Sequence, residues 1–137
     1  MSRPKILLVD DDADFLAMNR GVLVRHGYMV DTSSGGEAAL GKVRDNPPDL
    51  VVTDVMMSSL DSGFTLARAL KDHPKTAGIP VIIVTAASSQ RGYDFRPRDA
   101  VELAALGADA YLDKPVSPDV LLAKVRELLS RTGKAPA

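Results

Sequence analysis

The chain has 137 residues, 45% hydrophobic and 26% charged, which suits one globular domain and is too apolar for a disordered chain. Seventeen basic residues against eighteen acidic ones, with three Tyr, three Phe and no Trp, argue against direct nucleic-acid binding, which needs basic surface or aromatic stacking platforms. The absence of Cys excludes disulfides and thiolate chemistry, and the longest aliphatic runs are four residues, far below the roughly 20 that cross a bilayer, so a cytoplasmic protein without a membrane role is expected.

Short apolar runs punctuate the sequence: Ile6 to Val9, Tyr28 to Val30, Leu50 to Val52, Val81 to Val84, and Ala110 to Leu112. They are aliphatic or β-branched without polar alternation, as strands covered on both faces should be, and parallel pairing follows. Between them lie segments with helical spacing, long enough for the crossovers parallel strands require. The first, over 13–26, carries Phe15, Leu16, Asn19, Val22 and Leu23 on one stripe, with Asp12 placed to cap it and Gly27 to end it. Further helices are predicted over 36–44, 62–72 and 97–106. The last, over 118–130, has Ser117 as cap, Pro118 at its first position, and a stripe of Leu121, Leu122, Val125, Leu128 and Leu129. The pattern is a single α/β domain, a (βα)5 doubly wound parallel sheet over residues 1–131, with 132–137 as a frayed tail.

In such sheets the ligand site lies beyond the carboxyl ends of the strands. There the first strand runs into Asp10-Asp11-Asp12, the third into Thr53-Asp54, the fourth into Thr85-Ala86, and the fifth into Asp113-Lys114-Pro115. An Asp after a strand is often only a cap or turn former, and Asp12 is read that way. Several carboxylates gathered at one rim, however, repel one another and need protons or a cation. With oxygen donors only, the cluster suits Mg²⁺ completed by a phosphate oxygen. Asp54, ending the central strand, is the natural nucleophile for a phosphoryl group, with Thr85 and Lys114 beside it.

These residues resemble the response-regulator receiver domain of two-component phosphorelays. The resemblance spans about residues 5 to 130 and rests on Leu8-Val9-Asp10-Asp11-Asp12, Asp49 to Met57, Val84-Thr85-Ala86 and Gly107 to Pro115. It implies the flavodoxin-like strand order 2-1-3-4-5, and Mg²⁺ held by Asp10, Asp11, Asp54 and the backbone carbonyl of Met56. It also implies Asp54 as phosphoacceptor, Thr85 and Lys114 as phosphoryl-binding groups with a cis peptide before Pro115, and Thr85 and Tyr111 as switch residues. The implied donor is a phosphohistidine on a sensor histidine kinase or a histidine phosphotransfer protein. The implied output is a protein-interaction surface of the fourth helix, fifth strand and fifth helix. Such a protein is no conventional enzyme, though it contributes to its own aspartyl phosphorylation and dephosphorylation.

Three features depart from the family pattern. After the phosphoacceptor, Met57-Ser58-Ser59-Leu60-Asp61-Ser62-Gly63 lacks the usual Pro and is one residue longer. Thr85 and Lys114 are 29 positions apart, the excess falling in the 86–98 loop, whose Tyr93, Phe95 and three Arg suit contact with a downstream partner or an anchored surface loop. Met56 and Ala87 carry no group to orient attacking water, so the phosphoryl lifetime is expected not to be unusually short. The alternatives are a Mg²⁺-dependent phosphohydrolase with an Asp nucleophile, a flavin or nucleotide module, and a non-phosphorylated scaffold receiver. Met56 stands where a phosphohydrolase would carry its second acid, and Asp10 to Asp14 replace the Gly-rich loop a nucleotide module needs.

Overall fold

The computed structural model describes residues 3–54, 62–85, 108–113 and 116–132. Along the chain these form β1 (Lys5–Val9), α1 (Ala13–Arg25), β2 (Met29–Ser33), α2 (Gly36–Asp45), β3 (Leu50–Thr53), α3 (Ser62–Asp72), β4 (Val81–Thr85), β5 (Ala110–Asp113) and α4 (Pro118–Arg131). The strands pair in parallel in one five-stranded sheet of order β2-β1-β3-β4-β5, as the resemblance implied. The predicted helix over 97–106 and the 86–98 loop lie outside the described residues.

Because side chains alternate across a strand, each central strand feeds two cores. Ile6, Leu8, Leu50, Val52, Ile82 and Val84 face α1 and α4, where Phe15, Leu23 and the predicted α4 stripe meet them. Leu7, Val9, Val51, Val81 and Ile83 face the other way, against Ala39 and Val43 of α2 and Leu66, Ala67 and Leu70 of α3. All five residues of the α4 stripe are buried, each contributing roughly 1.5–3 kcal/mol by leaving water. Ser117 caps α4 through Val120 N–H (3.3 Å). Thr132, assigned from sequence to the frayed tail, instead closes the helix: its N–H and hydroxyl both donate to Leu129 O.

Helix α1 begins and ends as its sequence dictates. The Asp12 carboxylate accepts from the N–H groups of Asp14 and Phe15. At the other end Gly27 adopts φ 97°, the left-handed conformation that a Cβ disfavours. This lets Gly27 N–H reach Val24 O and Tyr28 N–H reach Leu23 O, the paired bonds of a Schellman turn, with Tyr28 and Leu23 buried together. Tyr28 is therefore the turn's apolar anchor and not the first residue of a strand.

The second strand accordingly runs over Met29–Ser33, not Tyr28 to Val30 as predicted. It is an edge strand, less covered than the others, so its polar Asp31-Thr32-Ser33 half is tolerated where an apolar run was sought. Met29 N–H donates to Pro4 O and Ser33 O accepts from Asp10 N–H, so residues 29, 31 and 33 turn their backbone toward β1. Thr32 then faces the open edge, where its N–H donates to Asp31 Oδ1 (2.9 Å) and its carbonyl accepts from Lys42 Nζ. Lys42 also pairs with Asp31 at 3.1 Å. No described helix is long and apolar enough to cross a membrane.

Candidate functional site

The strand ends form one rim. Asp10 N–H donates to Ser33 O and Asp54 N–H to Val9 O, which extends the ladders β2–β1–β3 by one residue and fixes both Asp residues just past the last apolar side chains. Thr85 and Asp113 end β4 and β5 in register with each other. Parallel pairing thus brings together residues distant in sequence, because every strand points the same way.

Asp10, Asp11 and Asp54 each offer a carboxylate oxygen, and these atoms lie within 4.8 Å of one another. Asp10 is fully buried and Asp54 only 5% exposed, while Asp11 is exposed and opens the group to solvent. Asp12, the third acid of the run, is turned away and spent on capping α1, as its sequence position suggested. Its backbone contributes instead: Asp12 N–H donates to Asp10 Oδ1 at 2.9 Å and orients that carboxylate. The bond is the side-chain-to-backbone contact, two residues on, that suits Asp to turns.

Thr53 was given no role from sequence. It is fully buried, and its hydroxyl donates to the carbonyl of Asp54 at 3.2 Å, so a polar group is satisfied beside the acid it precedes. Its place at the end of an apolar run was the only available cue. Tyr111 is half-buried and packs against the core on the α2–α3 side, in register with Ile83. Met56, Lys114 and Pro115 lie outside the described residues, and for Thr85 the backbone alone is described.

Acids elsewhere in the fold are engaged differently. Asp49 Oδ2 accepts from Lys5 N–H at 2.7 Å, and Asp109 Oδ2 accepts from Val81 N–H and Lys71 Nζ, so these acids anchor strand beginnings. Burial alone would raise the pKa of Asp31, but its bonds from Lys42 and Thr32 N–H, with the charges of Lys42 and Lys5, outweigh that and hold its carboxyl below the ordinary range. The rim trio differs from all three in crowding carboxylates on one another. Its oxygen-only donors at this spacing fit a small hard divalent cation, and that donor set can serve chemistry on a phosphoryl group.

A doubly wound α/β domain with an acidic cluster beyond the carboxyl ends of its strands is the class that fold and site define. The chain matches the response regulator receiver domain over residues 6–126 and belongs to that family. It is 37% identical over 124 residues to the response regulator PleD of Caulobacter vibrioides, covering 90% of this chain and 26% of that protein. The chain spans about half or less of the length of the curated relatives it matches. Among solved structures it superposes on the chemotaxis response regulator CheY4 of Vibrio cholerae with a TM-score of 0.79 at 28% identity, covering 93% of this chain and all of that one. It also superposes on the signal receiver domain of a signal transduction histidine kinase from Syntrophus aciditrophicus, with a TM-score of 0.79 at 31% identity and coverage of 98% and 96%.

Proposed function

We propose that Asp54 accepts a phosphoryl group from a phosphohistidine on a sensor histidine kinase or a histidine phosphotransfer protein. The observation that carries this reading is the convergence of Asp10, Asp11 and Asp54 within 4.8 Å, with Asp54 closing the middle strand. Membership of the receiver family and the similarity to a receiver domain of a histidine kinase support it.

In the reaction one carboxylate oxygen of Asp54 attacks phosphorus, a P–O bond forms as the P–N bond to the donor imidazole breaks, and the departing ring retains the electron pair and takes a proton. Asp10 and Asp11, with Asp54 and the Met56 carbonyl, would hold Mg²⁺, which when bound supplies positive charge against the phosphoryl oxygens. Asp10, fixed by Asp12 N–H, keeps the donor set in place before substrate arrives. Asp54 is only 5% exposed, so a donor would have little of its surface to reach. Thr85 would donate its hydroxyl to one phosphoryl oxygen and Lys114 its ammonium to another, as electrostatic catalysis of this transfer requires. The modified state would then shift Thr85 and Tyr111 and change the affinity of a surface made by the 97–106 segment, β5 and α4 for a downstream protein, with the 86–98 loop contributing contacts.

Acetyl phosphate with Mg²⁺ tests the reading by intact mass. One phosphoryl group is expected on the parent protein and none on Asp54→Asn or in the presence of a chelator. Equal modification of Asp54→Asn would refute Asp54 as the acceptor.

A further inference from the structure

Helices α2 and α3 leave a cavity of about 270 Å³ between their C-terminal ends. Because both helices run back toward the beginnings of the strands, this cavity sits at the rim opposite the acidic cluster, and it plays no part in the chemistry proposed for Asp54. Its walls are apolar, with Leu40 and Val43 from α2 and Leu70 from α3. Arg44, His73 and Lys75 bring basic side chains to the lining. Asp45 and Asp72, each one residue from a lining residue, are exposed and do not line it.

The charges can be followed individually. Among the described residues neither Arg44 nor Lys75 makes an ion pair. His73 Nδ1 accepts from Lys75 N–H at 3.2 Å, which leaves the Nε2 hydrogen of the neutral ring as a donor. The one hydroxyl at the cavity, that of Thr76, is already spent on Leu70 O at 2.6 Å. Against the two cations stand the carbonyl ends of α2 and α3, each equivalent to about half a negative charge. The balance is about one positive charge, enough for a singly charged head group and too little for a polyphosphate. The volume equals the liquid share of about nine waters, which admits a ring or branched chain of about ten non-hydrogen atoms.

We propose that the α2–α3 cavity binds a small amphiphilic monocarboxylate, its apolar body against Val43 and Leu70 and its carboxylate between Arg44, Lys75 and His73. The site is independent of phosphorylation, so its loss would leave the reading of Asp54 untouched. The test is a titration of the full chain with phenylacetate, and with benzyl alcohol as the uncharged match, followed by amide and methyl resonances. Expected are saturable phenylacetate shifts centred on Leu40, Val43 and Leu70, and an apparent Kd raised about threefold or more by Arg44→Gln with Lys75→Gln, in keeping with exposed charge pairs. The double variant should leave benzyl alcohol affinity unchanged, and Ala69→Leu, which fills the cavity from α3, should abolish both responses. Two results would overturn the proposal: no saturable shift at those residues up to about 20 mM ligand, or the same phenylacetate Kd with and without the two cations.

Discussion

Neutralising one acid of the rim should stabilise the protein when no divalent cation is present. Carboxylate oxygens of Asp10 and Asp54 approach within 4.8 Å, and both residues are buried. At an effective dielectric constant of about 20, like charges at that separation repel by about 3.5 kcal/mol. Exposed Asp11 adds less, because water screens it, and interactions of Asp10 and Asp54 with other groups offset part of the total. A net gain of about 1–3 kcal/mol is therefore expected for Asp54→Asn, which for a chain of this size raises Tm by about 3–10 °C. Thermal melts monitored by circular dichroism in a chelating buffer measure it, with Asp10→Asn as a second reporter of the same repulsion. Addition of Mg²⁺ should then raise the Tm of the parent protein more than that of either variant, since a cation bound to the folded state alone stabilises by mass action. If both variants melt at or below the parent temperature in chelator, the crowding of these acids costs nothing and the reasoning fails.

Three further outcomes follow from individual groups. The Tyr28 hydroxyl is buried without a hydrogen bond of good geometry, although Arg126 lies close enough to act on it electrostatically; burial raises its pKa and Arg126 partly offsets this. Tyr28→Phe should therefore change urea stability by no more than about 1 kcal/mol, and a loss above about 2 kcal/mol would show that the hydroxyl is paired. Gly27→Ala places a Cβ at φ 97° and should cost about 1–2 kcal/mol in the same assay, an unchanged midpoint counting against the Schellman turn. Asp31 titrates below its ordinary 3.8 in the folded chain, so its contribution is complete above that value and disappears as pH falls through the lower folded one. Lys42→Met should flatten that part of the acid-stability curve, by no more than about 1 kcal/mol for so exposed a pair, and an unaltered curve would contradict the assignment.

The parts of the fold legible in the sequence are those where burial alone dictates residue type. β1, β3 and β4 are covered on both faces, and their aliphatic runs could hardly be anything else. The start of α4 followed from Ser117 and Pro118 because cap chemistry is local. β2 was displaced because an edge strand answers to its neighbour's register more than to burial, and because Tyr28 is apolar for the sake of a turn. At the rim, the positions of Asp10, Asp11 and Asp54 could be read directly from where the apolar runs stop. The division of labour between Asp10 and Asp12 was legible too, since a cap is a local role, whereas the α2–α3 cavity depends on helix packing, to which local spacing is blind.

The margin of the sheet along β2 carries one more implication. Any intruding chain that tried to extend the layer at Thr32 would find its amide and carbonyl already satisfied by Asp31 and Lys42, and would have to desolvate and separate that pair before pairing there. The sheet thereby carries its own guard against polymerising through this side, built from two charged residues that take no part in the opposite chemistry of the carboxyl rim.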